Sequence, residues 1–246
     1  MRIMWICNIP ILNINRKNES KAFGGWMSAM ANILSSQKSI ELLICYPQNE
    51  ISRLQRQRYK GISFYGFYVK NRAFYDEVVY KQLKKIEGEF VPDIIHLFGT
   101  EFPHSLSAIK LDAGKTLVDI QGLIGVYAYH YFTGFSINGS FGHKDSFAYN
   151  EMKELKKRGK YEKEVLKQAR YITGRTSWDY ACVKAINKKA KYFPCNRILR
   201  GSFYEHDWNY KNCEKYSVLV SQADYPVKGF HIFLKALNIL QKKYKD

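Results

Sequence analysis

The sequence has few cysteines, and their spacing excludes two classes of protein. The five cysteines are an odd number and none is spaced as CxxC, which argues against a disulfide framework and against a zinc site. Cys7 and Cys45 stand within apolar runs, where a thiol is most often a small buried hydrophobe. This use of cysteine is typical of a reducing cytoplasm.

Long apolar runs are also missing. None reaches the roughly 18 residues that a membrane-spanning helix needs. The N-terminal run RIMWICNIPIL is interrupted by Asn8 and Pro10 and is followed by no small-residue cleavage site. It therefore predicts a strand rather than a signal peptide. Any membrane contact is expected to be peripheral.

Common catalytic signatures do not occur in the chain. The patterns GxxxxGK[ST], GxGxxG, HExxH and GxSxG are all missing, and no His/Cys arrangement has the spacing of metal ligands. We therefore expect no metal ion and no bound cofactor.

Acidic residues are scarce relative to basic ones. The 39 Lys and Arg against 22 Asp and Glu give a formal net charge of +17. Such a charge attracts nucleic acid, an anionic membrane or a diphosphate ligand, and solvated surface lysines account for it equally well. Because no RNP, KH or helix-turn-helix pattern accompanies the charge, we expect no nucleic acid partner.

Short β-branched and aromatic runs alternate with helical patterns, which predicts an α/β fold: a Rossmann-like parallel sheet with helices on both faces. The predicted strands are Arg2–Ile9, Ile40–Tyr46, Ile62–Val69, Asp93–Phe98, Thr116–Gln121 and Arg170–Gly174. The predicted helices begin at Gly24-Gly25 and after Gly229, and span Ala73–Phe90, Phe102–Lys110, Phe147–Gln168 and Ser177–Ile186.

The end of the chain predicts a second domain. Tyr216–Leu240 has the pattern of a new strand, a loop ending in Lys228-Gly229 and an amphipathic helix. We predict an acceptor-side domain over 1–205, a linker over 206–215, and an incomplete donor-binding domain over 216–246. The aromatic segment Leu123–Asp145 is predicted to be either a long functional loop or a helix or hairpin whose rings pack into the core.

Four loops at strand ends carry polar residues, and ligands of open α/β sheets bind at the carboxyl ends of strands. Gly24 and Gly25 open a helix and allow a phosphate to approach, although plain turn chemistry explains them as well. The other candidate ligand residues are His96, Thr100, Glu101, Asp119, Gln121 and Arg175. Thr100 has the alternative of capping the next helix, with Glu101 in its first turn, and Arg175 that of pairing with an acidic residue.

Several segments together resemble the retaining GT-B glycosyltransferases of family 4, especially bacterial members of capsule and exopolysaccharide assembly. These segments are GGW, PDIIHLFGTEFP, VDIQGL, YITGRTSWDYACV and VLVSQADYPVKGF. The resemblance implies two facing Rossmann-like domains, the N-terminal one holding the acceptor and the C-terminal one the nucleotide-sugar.

The resemblance also assigns roles to residues. Gly24 and Gly25 match the glycine loop near the donor diphosphate, and Lys228 matches the donor-phosphate lysine. Gln222 stands where the family usually has a basic residue, and Gln121 stands where many members have a histidine. Gln121 and Asp119 are thus the catalytic candidates. The family's E-x7-E motif would lie beyond Asp246, so this chain is expected to be inactive alone.

The expected function is transfer of a sugar from a nucleoside-diphosphate sugar to a glycan or polyprenyl-linked acceptor. The alternative is a non-catalytic remnant or subunit that binds acceptor or membrane and needs a separate donor-binding half. The basic residues of Phe147–Gln168 favour a peripheral contact with an anionic membrane at the inner face of the plasma membrane, although interspersed glutamates also fit a solvated surface helix.

Overall fold

Eight strands form a single sheet in the computed structural model, which describes residues 1–11, 25–50, 56–134, 146–221 and 226–244. The strands are β1 (Arg2–Cys7), β2 (Glu41–Gln48), β3 (Arg56–Tyr59), β4 (Ile62–Tyr68), β5 (Ile94–Phe98), β6 (Thr116–Asp119), β7 (Tyr171–Gly174) and β8 (Lys191–Pro194). Their order is β3-β4-β2-β1-β5-β6-β7-β8, and every neighbouring pair is parallel except the β3–β4 hairpin. The predicted α/β class with a parallel sheet is confirmed.

The described residues also form seven α-helices. They are α1 (Gly25–Ser35), α2 (Glu77–Phe90), α3 (His104–Leu111), α4 (Ile124–His130), α5 (Phe147–Gln168), α6 (Ser177–Ile186) and α7 (Phe230–Lys243). None of these helices combines the length and the apolar character needed to cross a membrane.

The sheet is covered on both faces. Met27 and Ala31 of α1 pack into one cluster with Trp5 of β1 and Ile44 of β2. Because successive side chains of a strand point to opposite faces, Met4 lies on the other side of β1, where it is fully buried. Helix α2 contacts β1 and β4, and α3 contacts β5. This is the layering of a doubly wound fold.

The cysteines of the central strands behave as the sequence predicts. Cys7 and Cys45 are fully buried, and burial raises the pKa of both thiols. They are therefore packing residues rather than nucleophiles.

Two strands were not predicted, and one segment adopts the second of its two predicted alternatives. β3 and β8 were not predicted, because most of their residues are exposed and neither shows apolar alternation. The first part of Leu123–Asp145 adopts the helical alternative, since α4 begins at Ile124. Its residues 135–145 lie outside the described part of the chain. Within this segment Tyr131 is buried, whereas Tyr129 is exposed.

The predicted strand at the start of the second domain is not formed. Residues 216–220 adopt no strand, and Tyr216 and Leu219 are 97% and 94% exposed. A strand requires a neighbour that pairs its N–H and C=O groups, and no described strand pairs with this segment. The following helix, α7, does form as predicted.

The chain divides into two compact units. Unit 1 contains residues 1–123 and 160–207, and unit 2 contains residues 124–159 and 208–246. The sheet and its strand-end loops belong to unit 1. The domain bounds 1–205, 206–215 and 216–246 stay a prediction.

A close helix contact holds α4 and α5 together within unit 2. A Cβ at Gly159 would lie 2.4 Å from Cα of Gly125. Because the obstacle is backbone rather than a movable side chain, only glycine fits at this crossing. By contrast, a Cβ at Gly88 of α2 would meet nothing within 4 Å.

Helix α2 ends in a strained residue. Val91 adopts a left-handed conformation, with φ 46° and ψ 67°, and its N–H donates to the carbonyl of Glu87. Glycine is the usual residue at such a helix end, and a β-branched side chain is unfavourable there. The strain therefore lies in an exposed turn, since Val91 is 59% exposed.

Candidate active site

The carboxyl ends of four adjacent strands form a row of polar residues in unit 1. Cys7 of β1, Phe98 of β5, Asp119 of β6 and Thr173 of β7 are consecutive partners across the sheet. The residues that follow them in sequence therefore meet at one edge. The order β4-β2-β1-β5-β6-β7 is that of a dinucleotide-binding sheet, and its order reverses between β1 and β5, where such sheets bind ligands.

Asp119 is held by an arginine that the sequence did not indicate. Both of its carboxylate oxygens accept from the guanidinium of Arg197, which follows β8 and also donates to the carbonyl of Ile120 at 3.2 Å. Arg197 lies 3.8 Å above the ring of Trp26. The carboxylate is 2% exposed and engaged on both oxygens, so its evident role is to fix Arg197.

His96 lies beside this ion pair. Its Nε2 is 3.7 Å from Asp119 Oδ2, which is too long for a hydrogen bond, and its ring stacks on Phe98 at 4.0 Å. His96 is 7% exposed. His96, which the sequence predicts to bind a ligand, is therefore a buried ring. Its Nε2 has no hydrogen-bond partner among the residues that the structure describes.

Gln121 and Arg175 are brought together by β6 and β7. The guanidinium of Arg175 donates to the backbone carbonyl of Gln121 at 3.2 Å, and the Gln121 amide contacts Met27 Sδ at 3.7 Å. Arg175 therefore pairs with a carbonyl rather than with an acidic side chain. Thr176 caps helix α6, where it forms a reciprocal capping box with Asp179.

The capping alternative for Thr100 is wrong. Helix α3 has Pro103 at its N-cap and no side-chain cap, because it begins two residues later than predicted. Thr100 Oγ1 instead donates to Glu162 of α5 at 3.0 Å, and both residues are buried. Glu101 accepts from the Asn8 amide at 2.7 Å, which links β5 to β1.

Gly25 begins α1 and lies against a second arginine. A Cβ at Gly25 would lie 2.6 Å from Cδ and Nε of Arg200, which is exposed. The N-terminus of α1 and a guanidinium thus lie side by side, an arrangement suited to an anion. Gly24 lies outside the described residues, as does Gln222.

Lys228 belongs to unit 2 and is described there. It closes a short 3-10 turn, Pro226–Lys228, and Gly229 follows as the N-cap of α7 with φ 79°. No side chain caps this helix. Lys228 thus stands beside a helix N-terminus, as the sequence predicts.

Sequence reasoning missed Asn8, Glu162, Arg197 and Arg200. The two arginines follow a strand that was not predicted, so the strand-end argument did not reach them. Within the described ranges, no three His, Cys, Asp or Glu side chains are placed to hold a metal ion.

Comparison with known proteins gives similarity of fold only. No family model matches the chain, and no curated protein matches it. Sucrose-phosphate synthase from Thermosynechococcus elongatus is similar over 79% of this chain and 48% of that chain, with 11% identity and a TM-score of 0.48. Glycyrrhiza uralensis UGT73P12, complexed with glycyrrhetinic acid 3-O-monoglucuronide, is similar over 78% of this chain and 48% of that chain, with 10% identity and a TM-score of 0.39. The chain spans about half the length of each.

Proposed function

We propose that the protein acts in glycosyl transfer, moving a sugar from a nucleoside-diphosphate sugar to a hydroxyl of a glycan or polyprenyl-linked acceptor. The observation that carries the proposal is the row of hydrogen-bonding and cationic side chains at the reversal point of a doubly wound sheet. The motif resemblance to retaining family 4 enzymes of bacterial polysaccharide assembly supports the same reaction class.

In the proposed reaction, the bond between the anomeric carbon and the diphosphate oxygen breaks. The acceptor oxygen forms the new glycosidic bond, and its proton passes to the departing diphosphate. The departing diphosphate needs positive charge and N–H donors. Gly25 at the start of α1 supplies backbone donors, and Lys228 supplies an ammonium group. The resemblance gives Gly24 and Gln222 a phosphate-binding role as well. These groups stabilise the leaving charge without a metal ion.

The acceptor is proposed to lie at the β5 and β7 ends. His96, Thr100 and Arg175 are the candidates for direct contact with acceptor or sugar, and Glu101 contributes to the same site through its hydrogen bond with the Asn8 amide. Of the two catalytic candidates, Gln121 is better placed for contact with substrate, because Asp119 is engaged by Arg197.

The proposed location is the cytoplasm, with a peripheral contact at the inner face of the plasma membrane. Helix α5 carries seven Lys and Arg residues. Lys167 pairs with Glu164 at 2.8 Å, and Arg158 lies 3.4 Å from Glu154. Sedimentation with vesicles of neutral phosphatidylcholine and with vesicles that also contain phosphatidylglycerol tests this contact. Equal recovery on both would contradict it.

The function is tested by calorimetric titration of the chain with UDP-glucose, UDP-galactose and GDP-mannose. We expect one of them to bind, and Lys228→Ala to weaken that binding about tenfold through loss of a charge-assisted hydrogen bond. Lys242→Ala, at the far end of α7, is the matched control and should leave affinity unchanged. Absence of binding by all three donors would refute the proposal.

A second candidate is a non-catalytic subunit that binds acceptor or membrane. It is favoured by exposed apolar side chains in unit 2, among them Trp208 at 78%, Tyr216 at 97% and Leu219 at 94% exposure. Exposed patches of this kind mark interaction surfaces. A chain that binds methyl glycosides or vesicles but no nucleotide-sugar would favour this candidate.

A further inference from the structure

Asn8 and Glu101 form a hydrogen bond at the reversal point of the sheet. Asn8 follows β1, Glu101 follows β5, and Asn8 Nδ2 donates to Glu101 Oε2 at 2.7 Å. An ionised carboxylate has no proton to donate, so only the NH₂ group of the amide satisfies it. Chemistry therefore fixes the amide orientation, with Nδ2 toward Glu101 and Oδ1 turned away.

The backbone around this pair holds it in place. Gly99 has φ 88°, and a Cβ there would lie 2.0 Å from Glu101 Oε2 and 2.4 Å from Asn8 Nδ2, so only glycine allows the pair to form. The Gly99 N–H donates to the carbonyl of Asp119 at 2.9 Å. The guanidinium of Arg72 donates to the backbone carbonyl of Asn8. The amide is thus oriented in advance of any ligand.

The other end of the amide is an acceptor that lacks a donor. Asn8 is 7% exposed, and its Oδ1 has no hydrogen-bond partner among the described residues. A buried polar atom without a partner costs about 1 to 3 kcal/mol, and a ligand that donates a hydrogen bond to it would remove that cost. This acceptor lies between β1 and β5, where doubly wound sheets bind ligands.

The chemistry of the site selects the group that binds. A phosphate is excluded, because it presents only acceptor oxygens to Oδ1 and would lie near the Glu101 carboxylate. An ammonium is disfavoured, since the Arg72 guanidinium already lies against Asn8. A neutral hydroxyl donates one proton and carries no charge, so it meets both conditions.

We propose that Asn8 Oδ1 binds a hydroxyl group of a pyranose sugar, and that Glu101 is the positioning residue that orients the Asn8 amide. This inference rests on the proposed glycosyl transfer and specifies which residue recognises the sugar. It adds a binding residue from β1 to candidates that otherwise follow β5, β6 and β7.

The test uses ¹⁵N NMR of the whole chain, with the Asn8 side-chain amide signal assigned by its loss in Asn8→Ala. The probes are the methyl pyranosides of glucose, galactose and mannose, the matching UDP- and GDP-sugars, and UDP and GDP alone. We expect the Asn8 signal to move with a pyranoside or a nucleotide-sugar, and not with UDP or GDP alone. Movement with the nucleotides alone, to the same extent, would assign the site to ribose or base and overturn the proposal.

Two further outcomes separate this inference from the proposed function. If the Gly25 backbone signal moves with a nucleotide-sugar while the Asn8 signal stays fixed, glycosyl transfer stands and the Asn8 proposal fails. If no signal moves with any probe, both fail.

Variants then test the positioning role. Asn8→Ala should weaken binding of the sugar about tenfold. Glu101→Gln should keep nearly full affinity, because its side-chain carbonyl accepts the same hydrogen bond, whereas Glu101→Leu should lose as much as Asn8→Ala. Equal losses in Glu101→Gln and Glu101→Leu would show that the carboxylate itself binds sugar and would overturn the positioning role. If Asn8→Ala does not fold, the comparison of Glu101→Gln with Glu101→Leu and the titrations of the wild-type chain still test the proposal.

Discussion

Removing the carboxylate of Asp119 should be among the most damaging single changes in unit 1. Asp119→Ala leaves the Arg197 guanidinium without the anion that neutralises it, with the carbonyl of Ile120 as its neutral hydrogen-bond acceptor. The two side chains are 2% and 14% exposed, so water replaces the carboxylate poorly. The Trp26 ring, 3.8 Å from the guanidinium carbon, offers a far weaker partner for the charge.

Breaking a buried ion pair by removing one partner costs about 3 to 5 kcal/mol, and the partial exposure of Arg197 places the expected value near the lower end. With a urea dependence of about 2 kcal/mol per molar, this corresponds to a midpoint lower by roughly 1.5 M. The expected loss of stability comes from the unneutralised charge of Arg197 rather than from lost packing contacts. Replacing both partners should therefore restore much of the stability.

Urea unfolding followed by far-UV circular dichroism measures the effect in Asp119→Ala, Arg197→Met and the double variant. The double variant should be more stable than Asp119→Ala alone. Lys167→Met is the control, because it breaks an ion pair whose side chains are each 49% exposed and should change stability by less than about 0.5 kcal/mol. A loss below about 1 kcal/mol in Asp119→Ala, or losses that simply add in the double variant, would refute the reasoning.

Three further predictions concern local features. Burial lowers the pKa of His104 to about 3, below the usual 6.5 of a histidine, so acid protonates the unfolded state first and stability should fall as the pH drops from 6.5 to 3. Between pH 7 and pH 5, urea titrations should show that the free energy of unfolding falls by about 2 kcal/mol. If His104→Phe lost as much stability over the same pH range, His104 would not be the cause. Gly159→Ala should destabilise by about 2 kcal/mol or more, because its Cβ would overlap Gly125. Its control is Gly88→Ala, at an exposed and open position of α2, which should raise stability by about 1 kcal/mol. Similar shifts in melting temperature for Gly159→Ala and Gly88→Ala would refute the packing argument. Val91→Gly should raise stability by about 0.5 to 1 kcal/mol through release of left-handed strain, and an unchanged or lower melting temperature would show that no strain is stored there.

Elements with a clear apolar period were predicted well from the sequence. Helices α5 and α6 have the predicted bounds, Phe147–Gln168 and Ser177–Ile186, and the six predicted strands all lie in the sheet. Strands β3 and β8 were missed because they are edge strands. Arg56–Tyr59 and Lys191–Pro194 pair on one side only and bury little, so their sequences carry no alternation to recognise.

The candidate site was also predicted only in part from the sequence. The residues directly after strands, such as Glu101 and Gln121, were found because strand ends are visible in the sequence. Their partners were not, because the contacts are distant in sequence: Asp119 and Arg197 are 78 residues apart, and Asn8 and Glu101 are 93 apart. Such pairings depend on strand order, which apolar periodicity does not encode.

The strand order also separates two kinds of chemistry along the carboxyl edge. The Asn8 amide and the Glu101 carboxylate, which follow β1 and β5, present acceptors. Arg200, which follows β8, is an exposed cation and lies against Gly25 at the start of α1. A ligand with hydroxyl groups at one end and a diphosphate at the other matches this division only in one orientation. Under the proposed function, the sugar therefore lies toward β1 and β5 and the diphosphate toward α1 and Arg200, because the reverse orientation would place phosphate against Glu101.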